Sequence, residues 1–298
     1  AYDVYRIYDT TRNDKPFIYK SAKMYKPLVM TNAEYHSKKE YESSTTIRDA
    51  LTNPKKYIFR KTHETVPTKA MEEGTAVHTY FLENDDFKKN YTFKPKAFNG
   101  RTKEGKEWMQ EHGHLNILAA EWEENLIQMN HNFLNSPAKF IYDNDGLAEL
   151  SYFWDDLYRI KGKCRPDWIS KDGTTVVDLK TTQDASPKGF QKSISNFGYH
   201  IQCAWYLRGL RKLGIEAKEF IFIAIEKTAP YCIGVYRADE DMINIGMSQV
   251  EKALELLRVC QETKLYPDYT PTIQDISLPP WMTNKKVTPQ NYQEIELY

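Results

Sequence analysis

The chain has 298 residues, 41% of them hydrophobic and 13% aromatic, which suits one large domain with a sizeable core. Its 41 basic and 41 acidic residues cancel, so any surface that attracts a polyanion must be local. No apolar run approaches the roughly 18 residues of a membrane span, and the opening AYDVYRIYDT lacks the layout of a secretion signal. The four cysteines, Cys164, Cys203, Cys232 and Cys260, form no CxxC pair, which argues against a zinc knuckle or a disulfide framework and for a reducing cytoplasm.

In chain order, the Tyr- and Lys-rich residues 1–30 carry the pattern of one or two strands. A short helix is expected over Ile47 to Leu51, entered from Ser44 or Thr45 and stopped by Asn53-Pro54. Pro67 to Asn84 repeats at helical spacing, with Ala70, Gly74, Val77, His78 and Phe81 on one face. Residues 85–103 read as a loop, and Thr102 to about Asn135 as a second long helix on a Trp108/Trp122 stripe.

The period then changes to two. Leu147 to Thr182 predicts a three-stranded antiparallel meander with turns at Asp155-Asp156 and Asp172-Gly173. Ser186 to Leu213 returns to helical spacing, EFIFIAIEK and YCIGVYR are strands, and Asp239 to Thr263 is an amphipathic helix. Five prolines in the 23 residues from Pro267 predict an irregular tail that wraps the surface or a neighbouring subunit. The order implies an α/β fold: a central mixed β-sheet flanked by helices, with N-terminal helical additions. One domain over 1–298 is expected, with an N-terminal segment 1–66, a core 67–263 and a Pro-rich tail 264–298.

The hairpin Cys164 to Thr182 carries the chemistry. With Asp172-Gly173 as a two-residue type I′ turn, Lys171 faces Thr174 and Asp167 falls opposite Asp178. The alternative loop, Lys171-Asp172, sets the two acids diagonally. Either register leaves Asp167, Asp178 and Lys180 on one face. The residues alone leave two readings open. An exposed acid–lysine pair would contribute only about 0–1 kcal/mol. Semi-buried paired carboxylates would instead call for a divalent cation, and with a lysine beside them they suit phosphodiester hydrolysis.

The pattern Pro166-Asp167, ten residues, then Asp178-Leu179-Lys180 resembles the bipartite signature of PD-(D/E)XK nucleases. GTAVH (Gly74 to His78) is similar to the histidine motif of RecB- and RecE-type nucleases, and QCAWY (Gln202 to Tyr206) to their QxxxY motif. Met30 to Lys61 resembles the segment that opens the nuclease domain of RecE-like exonucleases (exodeoxyribonuclease VIII). The likeness runs from Met30 to Leu213 and implies a restriction-endonuclease-like core of phage or prophage type. It implies Asp167, Asp178, the Leu179 carbonyl and His78 around one or two Mg²⁺ ions, with Mn²⁺ as a substitute. It further implies Lys180 at the attacking water, and Gln202 and Tyr206 at the DNA end or holding the lysine. Asp178 stands where many relatives carry Glu. Glu149 is a weaker candidate as a further acid, and His63, His112, His114, His131 and His200 have no such context.

The resemblance also implies attack on linear double-stranded DNA ends, 5′→3′ degradation that leaves a 3′ overhang, and a toroidal homo-oligomer (trimer or tetramer) in a bacterial cytoplasm. A RecT-type annealing protein would be the partner. Arg159, Lys161, Lys163 and Arg165 repeat every two residues with the parity of Asp167, which predicts a basic row along the phosphates; Arg101, Lys103 and Lys106 are further candidates. The rival readings are a RecB-like or restriction-type endonuclease, a DNA-binding scaffold without catalysis, and a metal-dependent phosphatase. Relatives that hold an iron–sulfur cluster on four cysteines place them differently from these.

Overall fold

A computed structural model describes residues 27–63, 66–270 and 272–278. Nearly all of the expected strand pattern over 1–30 lies outside the described residues, as does the end of the tail. Three short helices come first: α1 (Asn32–Ser37), α2 (Ser44–Thr52) and α3 (Pro54–Thr62). Asn53 closes α2 and caps α3, whose first turn Pro54 occupies at no hydrogen-bonding cost, so the expected stop is also a start. The histidine-motif helix is α4 (Lys69–Leu82), capped by Thr68.

The stretch read as a loop holds α5 (Asn84–Asn90) and β1 (Tyr91–Phe93). The long helix read from Thr102 is three elements: α6 (Lys103–His112), β2 (Asn116–Leu118) and α7 (Glu121–Leu134). Gly113 ends α6, and β2 then pairs in parallel with β1. A short turn of helix, α8 (Phe140–Asp143), precedes the strands.

The meander is one long hairpin bent in the middle. Its first arm is split into β3 (Gly146–Ala148) and β4 (Tyr152–Asp155), its second into β5 (Lys161–Cys164) and β6 (Trp168–Ser170). β4 pairs β5 and β3 pairs β6 in the same register, which sets Glu149 against Asp167 at the bend. Pro166 lacks an N–H and cannot continue a ladder, and Glu149 takes a left-handed φ of 54°, so both arms break together. The third arm is β7 (Thr175–Thr182), with Trp168 opposite Val177, the register expected from the Asp-Gly signal. The turn itself is not type I′. Gly173 alone is left-handed, its N–H donates to the Ser170 carbonyl, and the Asp172 carboxylate accepts from Ser170 and Thr174.

After β7 the expected single helix is two, α9 (Pro187–Phe197) and α10 (Tyr199–Lys212), hinged at Gly198 with φ 69°. A Cβ there would lie 2.8 Å from Arg48 Cδ, so the hinge needs glycine for space as well as conformation. β8 (Glu219–Glu226), β9 (Ile233–Arg237) and α11 (Glu240–Thr263) complete the chain order. The main sheet is five-stranded, ordered β3-β6-β7-β8-β9, with only β7 and β8 parallel; α9 and α10 form their crossover. The α/β architecture read from the sequence is therefore present.

Two cores sandwich this sheet. Val176, Phe220 and Phe222 pack under α2, α10 and α11; Val177, Leu179 and Ile223 pack under α4 and α7. Strand alternation thus turns Asp178 and Lys180 toward the α10 side. The start of the tail lies on α3, where Asp268 accepts from Asn53 and Lys55. Among the described residues no helix is long and apolar enough to cross a membrane.

Candidate active site

The site forms where β6 and β7 fork. In register, the amide of Leu179 would meet Pro166; it donates instead to Oδ2 of Asp167 at 2.6 Å. Asp167 is therefore anchored by the backbone of the strand that carries Asp178 and Lys180. Both acids are buried, Asp167 to 8% exposure and Asp178 to 1%. Buried carboxylates without compensation are costly, so each partner matters.

Asp178 is held from α10. Gln202 donates its side-chain amide to Oδ1 of Asp178 at 2.6 Å and lies 3.3 Å from the Tyr206 hydroxyl. The QxxxY pair thus orients the acid rather than the lysine, one helical turn apart on one face. Lys180 sits with its ammonium 2.5 Å from Asp178 Oδ2 and 4.8 Å above the centre of the Tyr199 ring. Tyr199 was missed by sequence reasoning; its place three residues before Gln202 on the same helix face was the available signal. The aromatic face steadies the cation by about 0.5–2 kcal/mol.

From the other layer, α4 brings His78, whose Nδ1 lies 3.4 Å from Asp167 Oδ2. Glu149, the weaker candidate in sequence, comes fully into the site. One ligand atom each from His78, Glu149 and Asp167 all lie within 4.8 Å of one another, the spacing of a metal shell. The left-handed backbone at Glu149 makes this possible, and such strain in a non-glycine residue is a mark of functional sites.

The electrostatics agree. Burial pushes the Asp178 carboxyl up to about 6, with Lys180 pulling it down and Asp167 adding repulsion. Burial and the neighbouring Asp167 push Glu149 up to about 8. Burial also opposes charge on Asp167, but the His78 imidazole and then Lys180 outweigh it and hold that carboxyl below its usual range. Burial disfavours a charged Lys180, yet Asp178 and Asp167 more than compensate and raise its pKa. Asp178 and Glu149 are thus harder to ionise than free carboxylates while Lys180 is held charged, and a divalent cation beside these acids would favour their ionised forms.

The residues present fit a divalent metal. Asp178 Oδ2 is buried and meets the Lys180 ammonium as an ion pair, with no further donor on it among the described residues. Carboxylate oxygens of Asp167, Asp178 and Glu149 with one imidazole make a hard, oxygen-dominated donor set suited to Mg²⁺ or Mn²⁺. Leu179 contributes its N–H to Asp167, as described.

The basic row does not form. Arg159 lies in a tight turn with φ 61°, ahead of β5. Lys163 is 4% exposed and spends its ammonium on the carbonyls of Tyr35 and Lys38 at 2.7 and 2.9 Å. Burial, then Lys61, brings its pKa down to about 8. Arg165 donates to the carbonyls of Glu149 and Met30. These two cations bind α1 and the bend in the hairpin to each other. Only Lys161 and Lys163 lie in β5, with Arg159 in the turn before it and Arg165 at the bend after it, and the cover over Lys163 comes from residues distant in sequence. Arg159, Lys161, Arg101, Lys103 and Lys106 are exposed.

Residues 43–278 match the model of a family described as a PDDEXK-like domain of unknown function (DUF3799). No curated protein matches the chain. Among solved structures, a candidate exonuclease from Eubacterium rectale superposes with a TM-score of 0.58 at 18% identity, covering 87% of this chain and 100% of its own. An alkaline exonuclease from Laribacter hongkongensis matches 78% of this chain and 96% of its own at 10% identity, with a TM-score of 0.32. The first likeness supports the shared fold; the second is too distant to add to it.

Proposed function

The chain belongs to the PDDEXK-like domain family, and from that premise we propose that it is a divalent-metal-dependent exonuclease hydrolysing phosphodiester bonds from the ends of linear double-stranded DNA. The observation that carries this reading is the convergence of Asp167, Asp178 and Lys180 at the fork, with His78 and Glu149 closing the ring. Asp167, Asp178, Glu149 and His78 would hold the metal, with the Leu179 carbonyl as a further ligand. When bound, Mg²⁺ or Mn²⁺ lowers the pKa of water and neutralises charge on the phosphate.

The protein's own groups divide the remaining work. Lys180 has a raised pKa and is a cation at neutral pH, so it acts as a donor to the attacking water or to a phosphate oxygen, not as a base. Gln202 fixes the orientation of Asp178, and Tyr199 that of Lys180. Exposed Arg101, Lys103, Lys106, Arg159 and Lys161 supply backbone contacts, which are all that a sequence-independent nuclease needs. The 5′→3′ direction, the 3′ overhang, the ring of three or four subunits, the RecT-type partner and the bacterial cytoplasm follow from the RecE-like resemblance and belong to this proposal.

End-labelled linear duplex and a covalently closed circle, each with Mg²⁺ and with EDTA, test it. The expected result is stepwise loss of the linear DNA only, only with metal, and not with Asp178→Ala. Cleavage in excess EDTA, or cutting of the circle, would overturn it.

A further inference from the structure

Leading away from the site, the surface carries two aromatic stacks, ending in exposed Phe197 and exposed Phe59, joined by arginines. The first begins at Lys180. The Tyr199 ring beneath that ammonium stacks on Phe197, with centroids 5.7 Å apart and planes at 27°, and Phe197 is 54% exposed. The second lies on and just beyond α3, where Phe59, 60% exposed, stacks on His63 at 3.9 Å and 14°.

Arg48 and Arg60 connect them. Nη1 of Arg48 donates to the Phe197 carbonyl at 2.7 Å, and its Nη2 lies 3.5 Å from Oδ1 of Asp49. The other oxygen of Asp49 accepts from Arg60, the residue after Phe59. Phe59, Arg60 and His63 then line a groove of about 540 Å³ together with Lys55 and Lys56. Its one acid, Asp268, is matched by Lys55 at 2.9 Å. Counting Asp49 as well, the cations exceed the acids along the whole route.

Single exposed apolar residues are ordinary. Two stacked pairs, each flanked by cations and continuous with a hydrolytic centre, are a specific arrangement. Unpaired bases stack on aromatic faces while cations follow the phosphates; in a duplex the base faces are already covered. We propose that this surface, from Tyr199 and Phe197 past Arg48 and Arg60 to Phe59, is a track for single-stranded DNA, the strand that escapes hydrolysis. The inference rests on the nuclease reading of the site and extends it to the product.

The test uses the full chain in EDTA, with a fluorescent oligothymidylate and a blunt duplex as probes, read by anisotropy. Phe59→Ala and Phe197→Ala should each weaken binding of the single strand about tenfold and leave the duplex unchanged. Phe59→Trp, which keeps a stacking face, should bind at least as well as wild type, and supports the track even where the Phe197 variant folds poorly. Equal single-strand affinity in Phe59→Ala and wild type would overturn the track, as would an equal loss on both probes. A change in mass by light scattering with unchanged single-strand affinity would also overturn it, assigning the face to a second copy of the chain. Wild-type cleavage of linear duplex in Mg²⁺ is scored in parallel: its absence overturns the nuclease reading, whereas the binding comparison decides the track.

Discussion

Gln202 reaches from α10 across to the sheet and donates its amide to Oδ1 of Asp178 at 2.6 Å. That bond leaves the other oxygen, Oδ2, to the Lys180 ammonium 2.5 Å away. Gln202→Ala should therefore weaken Mg²⁺ binding about 10–100-fold, the usual cost of removing a group that orients a ligand. Gln202→Glu should be worse at neutral pH, because a second carboxylate pushes Asp178 further up and favours its protonated form. Isothermal titration with Mg²⁺ at two pH values checks both; unchanged affinity in Gln202→Ala would remove the orienting role.

Much of this site was legible because its parts are local or periodic. Pro166, Asp167, Asp178 and Lys180 sit on one hairpin whose register an Asp-Gly pair announces, and Gln202 and Tyr206 are one helical turn apart. The turn type was misread because the Asp172 side chain caps the bend, a contact that outweighs the backbone preference of the dipeptide. Lys163 and Arg165 were misread for a different reason. Alternation gives the face of a strand but not its cover, and the carbonyls of Tyr35 and Lys38 arrive from far along the chain. Glu149 enters the site through a left-handed backbone, which a strand's period of two cannot announce.

The strain at Glu149 makes a separable prediction. A non-glycine residue at φ 54° costs roughly 1 kcal/mol that glycine does not incur. Its carboxyl is also buried beside Asp167. Glu149→Gly should therefore raise the metal-free melting temperature by about 2–4 °C while weakening Mg²⁺ binding. Glu149→Gln, which loses the charge and keeps the strain, should stabilise less. Thermal unfolding in EDTA with a parallel metal titration reads both. A fall in metal-free stability for Glu149→Gly would show that the Glu149–Arg165 contact at 3.4 Å outweighs the strain.

The ionisable groups set a pH dependence with a definite sign. Asp178, at about 6 when folded, and Glu149, at about 8, both lie above ordinary carboxylates, so the folded state holds protons that the unfolded chain has lost. His78 is also raised, Asp167 outweighing burial, and its contribution is likewise lost as pH rises through its folded value. Asp167 runs the other way, since its lowered pKa contributes stability that is lost in acid. Metal-free protein should thus lose stability from about pH 5 to pH 8. Mg²⁺, which needs the carboxylates deprotonated and the imidazole neutral, should stabilise more at the upper end. Melting curves with EDTA or Mg²⁺ at both values check this; a metal-induced shift that is larger at pH 5 would contradict the assigned ligands.

Gly209 tests whether the site depends on how α10 is seated. A Cβ on Gly209 would lie 2.4–2.7 Å from Cη2, Cζ3 and Cε3 of Trp154. The indole cannot yield: it is 2% exposed, its Nε1 donates to Asp156 at 2.9 Å, and Trp205 packs 4.9 Å from it. Gly209→Ala must therefore push α10 outward, at a cost of about 1–3 kcal/mol. Gln202 and Tyr206 ride on that helix at the spacing that shares a face with Gly209. Mg²⁺ affinity should fall along with stability, though Gly209 touches no ligand. Trp154→Phe replaces the indole by a smaller ring and removes its outer fused edge, which the methyl meets, so Gly209→Ala should cost less in that background. Chemical denaturation and metal titration of the four proteins in the cycle measure the coupling. If the two substitutions add without interaction, the packing of α10 on Trp154 does not set the position of Gln202.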